Sequence, residues 1–539
     1  MNTRRIFLVL TMIGALAMGA SELDFYPQLS QGDHGRDLYS AQEVLRGKLP
    51  YKDFWWAYGP LMPYYYAFFY KFFGGTIGSF LLGKVVLKIA CAVFFYLAAS
   101  RMMAASVAFL AAMWFTQSQQ DFFFTFSHIG GITAELLILF LLFSYIQRPL
   151  MRHLWLLLPV LFIYGLIKMN FALTSLMTAL LTVALTDALR KQPWDVQKRN
   201  FYITASVIVP AAIAFIYWLL LKDLPLYQVR QCLPYFGDDQ PHHFSPSVTI
   251  PYYFIQHWLT FTHSPVNMAL GIVLHGATLM SIVLLCSGKL ETGRRQKLLL
   301  CLGLLGMFFV LNFHEFVVSG VWYRTFWSLP FLFMFHFLMM STAFSVLPAL
   351  ARRLIWAAFG ALLLLGLAAA FFSTQQQKIP PHYLNGPHAK IYVGNEFEWT
   401  STVNAVNAYL DQKLKPDELF FALPYDCIYY YLTGKESPTR QLIFFDHIKI
   451  PPQQELDIIR DLERRNVNYV LMSNRIASSE TGLGIFGKTY CPILSSYIAQ
   501  NFTPAARQGG NWQAEPGWGN NHGVLIFKRN KTVTGTNYF

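Results

Sequence analysis

Apolar positions gather into runs long enough to cross a bilayer as far as about residue 372, then give way to shorter alternating patterns. The runs fall at about 6–20, 79–100, 103–117, 132–146, 154–168, 171–189, 201–221, 266–287, 298–313, 325–345 and 354–372. They predict about eleven spans, several of them short enough to extend by a turn into the interface. Beyond them, 373–381 reads as a polar linker, 400–414 as a helix, 418–423 as a strand, 427–433 as a short helix, 441–445 as a strand, 453–465 as an amphipathic helix and 468–473 as a strand. That alternation predicts a small α/β domain with a partly parallel sheet over 373–539, following a polytopic α-helical membrane part over 1–372.

Composition narrows the class. Of 539 residues, 54% are hydrophobic and only 13% charged, against roughly 25% charged in soluble domains, which excludes a wholly soluble or disordered chain. The formal net charge of +13 would suit nucleic acid, but the cations argue otherwise. Arg4, Arg5, Arg101, Arg148, Arg152, Arg190, Lys191, Lys198, Arg199, Lys289, Arg294, Arg295, Lys297, Arg352 and Arg353 lie in short gaps between runs. With a cytoplasmic N-terminus, every one falls on the cytoplasmic side, as the positive-inside bias requires. The expected partners are therefore membrane lipids and no nucleic acid. An odd span count then puts 373–539 outside the cytoplasm, periplasmic for a bacterial inner-membrane protein. The first run ends in Ala-Met-Gly-Ala-Ser, close to a signal-peptide cleavage pattern, and reads as an uncleaved anchor for the segment after it.

The polar chemistry lies in the outer segments. The first, 21–78, contains Gln31-Gly-Asp-His-Gly-Arg-Asp-Leu-Tyr-Ser-Ala-Gln-Glu-Val-Leu-Arg-Gly47, in which Leu38, Ala41, Val44 and Leu45 share a helical face and Gly47 is a stop. Asp33 stands just ahead of this short surface helix. Leu49-Pro-Tyr-Lys-Asp-Phe-Trp-Trp-Ala-Tyr-Gly-Pro60 follows, then an aromatic stretch over 61–73 that predicts a second, interfacial helix. A second outer loop, 222–265, carries Gly237-Asp-Asp-Gln-Pro-His-His243; it reads as solvated loop, with a metal site or a substrate gate as alternatives. Of six cysteines, Cys91, Cys286 and Cys301 lie in apolar runs. Cys427 and Cys491 fall on the outer side, where a bridge between them is an open alternative.

The order of a first span, an outer Asp at the head of a short helix, a helix ending in Gly, Pro-Tyr-x-Asp-Phe, Gly-Pro-Leu and an aromatic interfacial helix resembles the C-type (GT-C) glycosyltransferases. The similarity is to their bacterial branch related to protein O-mannosyltransferases and the lipid A aminoarabinose transferase. Where that family usually has Asp-Glu, this chain has Asp33-His34. Glu135 in Gly131-Ile-Thr-Ala-Glu-Leu-Leu resembles the family's acidic residue at the outer end of the fourth span. Gly165-Leu-Ile-Lys-Met-Asn170 resembles its Gly-Leu-x-x-x-Lys element before a loop facing the lipid phosphate, and Tyr323-Arg324 with Leu329-Pro330 its late Arg/Tyr-to-Pro segment. The resemblance implies a sugar donor carried on a polyprenyl phosphate.

Each candidate has a structural alternative. Asp33 would serve as catalytic base or as a helix cap; Asp37 and His34 would support the site or hold the loop. Glu135, costly near a membrane end unless it faces a partner, would be site residue or structural hydrogen bond. Lys168 and Arg324, with Tyr323 beside the latter, would bind the donor phosphate or reach to headgroups. Lys84 and Lys88, one helical turn apart, predict a face turned to the bundle interior or a wet cavity and are further phosphate candidates. In this scheme Asp33 deprotonates an acceptor hydroxyl, a single displacement inverts the anomeric carbon and cations carry the leaving-group charge, so no metal or other cofactor is required. A transporter or flippase for a lipid-linked glycan is the competing class, though neither internal repeats nor midplane helix breaks are evident in the sequence.

Overall fold

The computed structural model describes residues 3–118, 126–233, 265–287, 290–319, 322–480 and 482–530. The chain forms two compact units. One takes 1–22, 84–219 and 242–373, the other 23–83, 220–241 and 374–539.

The first unit is helical because its segments are apolar on nearly every side, which suits burial against other helices and lipid rather than a water-facing surface. The eleven runs are helical among the described residues, 325–345 entering its helix Leu329–Ala343 through the 3₁₀ segment Trp322–Trp327. Among the described residues, eight helices are long and apolar enough to cross a membrane, from Thr3–Ala20 to Ala349–Gln377; Met151–Ile167 and Gly271–Cys286 are shorter apolar helices, and Ala105–Ser118 has 14 residues. The protein is thus a multi-pass membrane protein. Among the eight, the helix containing His128–Gln147 is the most enclosed and Ala349–Gln377 the least. Leu354, Leu364 and Leu365 stand exposed on the latter, a surface stable only against lipid. Close approach in the interior relies on missing side chains: a Cβ on Gly131 would sit 2.8 Å from the Trp327 ring, and one on Gly165 2.3 Å from Ile213.

In the second unit, the outer segment folds into the helices Asp33–Leu45 and Leu61–Phe73. Strand β1 (Phe25–Tyr26) pairs in parallel with β3 (Ile391–Val393), which pairs antiparallel with β2 (Tyr383–Leu384). A four-stranded mixed sheet has the order β4 (Phe420–Leu423), β5 (Tyr469–Ser473), β7 (Gly523–Arg529), β6 (Phe502–Gly509), with only β4 and β5 parallel. Phe421, Leu423, Val470 and Met472 face a core completed by Ile458 and Leu462 of the helix Pro452–Arg464 and by Leu494 and Ile498 of Pro492–Asn501.

Several sequence expectations are corrected here. Residues 441–445 are buried but join no sheet: Thr439 Oγ1 donates to the Gln441 carbonyl and Gln441 Nε2 to the Ile443 carbonyl, so side chains meet backbone groups a neighbouring strand would otherwise satisfy. The expected linker is helical as far as Gln377. The bridge left open between Cys427 and Cys491 is not formed, each being buried as a free thiol. The strands β6 and β7 lie beyond the last element that the alternation marked.

Candidate functional site

The helix Asp33–Leu45 begins after Gly32, which offers no side-chain cap. Asp33 is its first residue, and its amide donates to Ser30 Oγ at 3.2 Å. The Asp33 carboxylate is held from the side: Arg36 Nη1, one turn on, donates to Oδ1 at 3.2 Å, and the Tyr425 hydroxyl donates to the same oxygen at 3.1 Å. The second oxygen has no hydrogen-bond partner among the described residues, and the side chain is 45% exposed.

Arg36 organises this cluster from within the protein. Its Nε and Nη2 donate to Asp37 Oδ1 at 3.0 and 2.7 Å, its Nη1 donates to Tyr425 Oη at 2.8 Å, and its guanidinium lies over the Trp56 and Tyr58 rings at 5.2 and 4.8 Å. Burial alone would weaken so enclosed a cation; Asp37, with Tyr425, Tyr58 and Asp33, holds its pKa well above the usual arginine value. Burial pushes the Tyr425 phenol well above its ordinary range, against the pull of Arg36, so it stays a hydrogen-bond donor. His34 is buried in a supporting place: its Nδ1 accepts from the Ser30 amide at 2.8 Å and its Nε2 lies 3.4 Å from Tyr26 Oη. Two glycines let the chain come this close, for a Cβ on Gly32 would strike the Tyr425 ring at 2.4 Å and one on Gly35 the Ile428 amide at 2.4 Å.

The first unit carries a second polar cluster. Lys168 is the single extended residue between Met151–Ile167 and Met169–Leu189, a break allowed in an apolar bundle only where protein encloses it. Its Nζ meets Glu315 Oε1 at 2.7 Å and lies over Phe171 and Trp327, 5.7 Å from each ring. Asn170 Nδ2 donates to the same carboxylate oxygen at 3.2 Å and lies 2.8 Å from His314 Nε2. Arg324 and His128 also stand close enough for their charges to act on Glu315. Glu135 is fully buried, its Oε1 accepting from Asn312 Nδ2 at 3.0 Å. Lys168 and Arg324, singled out in sequence, are thus gathered at one carboxylate. Lys84 and Lys88 are claimed by Glu22: Lys84 Nζ donates to Oε2 at 3.1 Å, and Lys88, almost wholly buried, donates to Oε1.

Sequence reasoning missed Arg36, Tyr425, Glu22 and Glu315. Arg36 stood in the quoted motif, three residues after Asp33, and that spacing on a helix was the available signal; nothing local marks Tyr425. The Tyr323 side chain and the Gly237–His243 loop lie outside the described residues. Among the described residues, no three His, Cys, Asp or Glu side chains are grouped to hold a metal ion.

No protein-family model and no curated protein sequence matches the chain. Solved structures do. ArnT from Cupriavidus metallidurans in the apo state superposes with a TM-score of 0.54 at 12% identity over 97% of both chains. The same protein bound to undecaprenyl phosphate gives 0.52 at 11% over 99% of both. The Archaeoglobus fulgidus oligosaccharyltransferase in the apo form scores 0.45 at 12% identity, over 88% of this chain and 70% of that one. At such identities the likeness is one of fold: the chain has the GT-C architecture, polytopic helices with a small sheet domain at the C-terminal end.

Proposed function

We propose that this GT-C-fold protein is a membrane glycosyltransferase moving a sugar from a polyprenyl-phosphate-linked donor to an extracytoplasmic acceptor, with inversion at the anomeric carbon. The observation that carries the reading is the Asp33 carboxylate, tied through one oxygen and open at the other. Asp33 is the base: its open oxygen takes the proton of the acceptor hydroxyl while the hydroxyl oxygen attacks the anomeric carbon. The bond from that carbon to the phosphate oxygen breaks, and polyprenyl phosphate leaves with the electron pair. Lys168 and Arg324 stabilise the departing phosphate, as fixed cations in a dry site do. ArnT in complex with undecaprenyl phosphate supports a lipid phosphate as donor carrier.

Asp37 serves by holding Arg36, His34 by holding the 30–34 turn, and Glu135 by orienting Asn312. Lys84, Lys88 and Tyr323 are secondary phosphate candidates, the two lysines being engaged by Glu22 as Lys168 is by Glu315. The scheme needs no metal. It places the protein in a bacterial inner membrane with 373–539 on the periplasmic side.

The test uses membranes holding matched amounts of wild type, Asp33→Asn and Lys168→Met, a labelled sugar on polyprenyl phosphate, and native envelope as acceptor source. Asp33→Asn keeps shape and loses basicity, so transfer falls at least about a hundredfold with donor binding retained. Lys168→Met weakens donor binding. Near-normal transfer by Asp33→Asn would remove the base, and lipid-linked glycan crossing the membrane without transfer would favour the transporter class.

A further inference from the structure

Arginines from three parts of the chain meet at one end of the first unit. Arg4 and Arg5 open the helix Thr3–Ala20, Arg101 follows Ile77–Ala99, and Arg148 and Arg152 flank the turn between Phe126–Gln147 and Met151–Ile167. Arg4, Arg5 and Arg101 line a cavity of about 180 Å³, with Tyr96 and Ser100 at its wall. The Tyr96 hydroxyl donates to the Arg4 carbonyl at 2.8 Å, tying two of the helices together there, and the Arg101 guanidinium lies over the Phe140 ring at 5.0 Å.

Four of these charges, those of Arg5, Arg101, Arg148 and Arg152, pair with no carboxylate among the described residues. Asp187, on the helix Met169–Leu189, is already taken by Lys198 at 2.8 Å and by the Tyr145 hydroxyl at 2.6 Å. Burial and the nearby Arg4, Arg148 and Arg152 together lower the Arg101 pKa, a sign that these cations repel one another. A solvated face would spread such charges apart. Here Arg4, Arg5 and Arg101 line a concavity, and a guanidinium offers paired donors matched to phosphate oxygens.

We propose that this cavity binds a phosphate-bearing anion through Arg4, Arg5 and Arg101, the anion at a bilayer surface being the headgroup of an anionic phospholipid. Basic pockets between spanning helices recognise headgroups in this way, and the bound phosphate would supply a countercharge to Arg5 and Arg101, which pair with no carboxylate among the described residues. The site shares no residue with either cluster described above, so it stands whether or not the proposed transfer reaction does.

The experiment follows the thermal midpoint of the full-length protein in neutral detergent as phosphatidylglycerol, phosphatidylcholine or inorganic phosphate is added. Wild type should be raised by phosphatidylglycerol well beyond phosphatidylcholine, with the difference shrinking at high salt. The Arg5→Gln/Arg101→Gln double variant should need roughly tenfold more phosphatidylglycerol for the same rise, whereas Arg101→Lys, keeping the charge, should lose less. An equal rise from inorganic phosphate alone would assign the site to a free anion, still through these arginines. Equal effects of the two lipids on wild type, or an unchanged phosphatidylglycerol response in the double variant, would overturn the proposal.

Discussion

A half-exposed carboxylate can swing, and a base that swings is a poor one; Tyr425 and Arg36 remove that freedom from Asp33 through a single oxygen. Tyr425 is the informative residue, because its hydroxyl touches both Arg36 and Asp33 while its ring packs against Gly32. Tyr425→Phe deletes the hydroxyl and keeps the ring. Turnover should fall by about ten- to a hundredfold, in line with loss of one charge-assisted hydrogen bond of roughly 1.5–3 kcal/mol. Donor KM and the thermal midpoint should be little changed. A wild-type kcat in the Phe variant would show that Arg36 alone orients Asp33.

At the scale of elements, the helix Asp33–Leu45 is held by contact with the first residue of the helix Ile428–Thr433. The Ile428 amide donates to the Gln31 carbonyl at 3.1 Å, and a Cβ on Gly35 would meet that amide's nitrogen and the Ile428 Cα, atoms that cannot rotate away. Gly35→Ala should therefore cost about 1–3 kcal/mol, the range for forced overpacking, although alanine is the better helix former. Its thermal midpoint against wild type checks this, and a stabilised variant would contradict it.

The sheet domain also buries a carboxyl and an imidazole side by side, Asp426 Oδ1 lying 3.9 Å from His522 Nε2. Burial pushes Asp426 up to about 7 from 3.8 and His522 down to about 3 from 6.5. Asp426 alone would make the fold less stable as pH rises from about 4 to 7, because unfolding then releases a proton. His522 alone would make it less stable as pH falls from about 6.5 to 3, because unfolding then takes one up. Between about 4 and 6.5 the two cancel, so wild-type stability should be nearly flat there. Asp426→Asn should leave a midpoint that climbs with pH across that window and His522→Gln one that declines, each by at most about 1.4 kcal/mol per pH unit. Thermal midpoints at four or five pH values decide it, and parallel curves in the two variants would refute the assignment.

For the whole molecule, the arrangement of cations along the chain argues that the tail lies across the membrane from the short basic loops. Alkaline phosphatase fused after residue 530 should be active, and the same reporter placed in the loop at 191–195 inactive. The reverse pattern would put Asp33 on the side of nucleotide-linked sugars and undo the choice of a lipid-phosphate donor.

Apolar helices and sheet domain were legible in the sequence because each follows from a local run or period, apolar length for 77–99 and alternation for β5; 33–45 was legible as a helix but not as a surface one, since His34, Arg36, Asp37 and Glu43 are buried while Leu45 is exposed. Asp33, Lys168 and Arg324 were legible as polar groups at places where their cost needs a reason. Their partners were not. Tyr425 lies 392 residues from Asp33, Glu315 is 147 from Lys168, and Glu22 is 62 and 66 from the lysines it holds. A hydrogen bond or ion pair depends on distances of about 3 Å, which no periodicity encodes across such separations. The same reason governs 441–445, whose β-type pattern reports burial while strand pairing depends on what lies alongside. Local sequence thus determined which groups needed partners, and only the tertiary structure decided which ones they met.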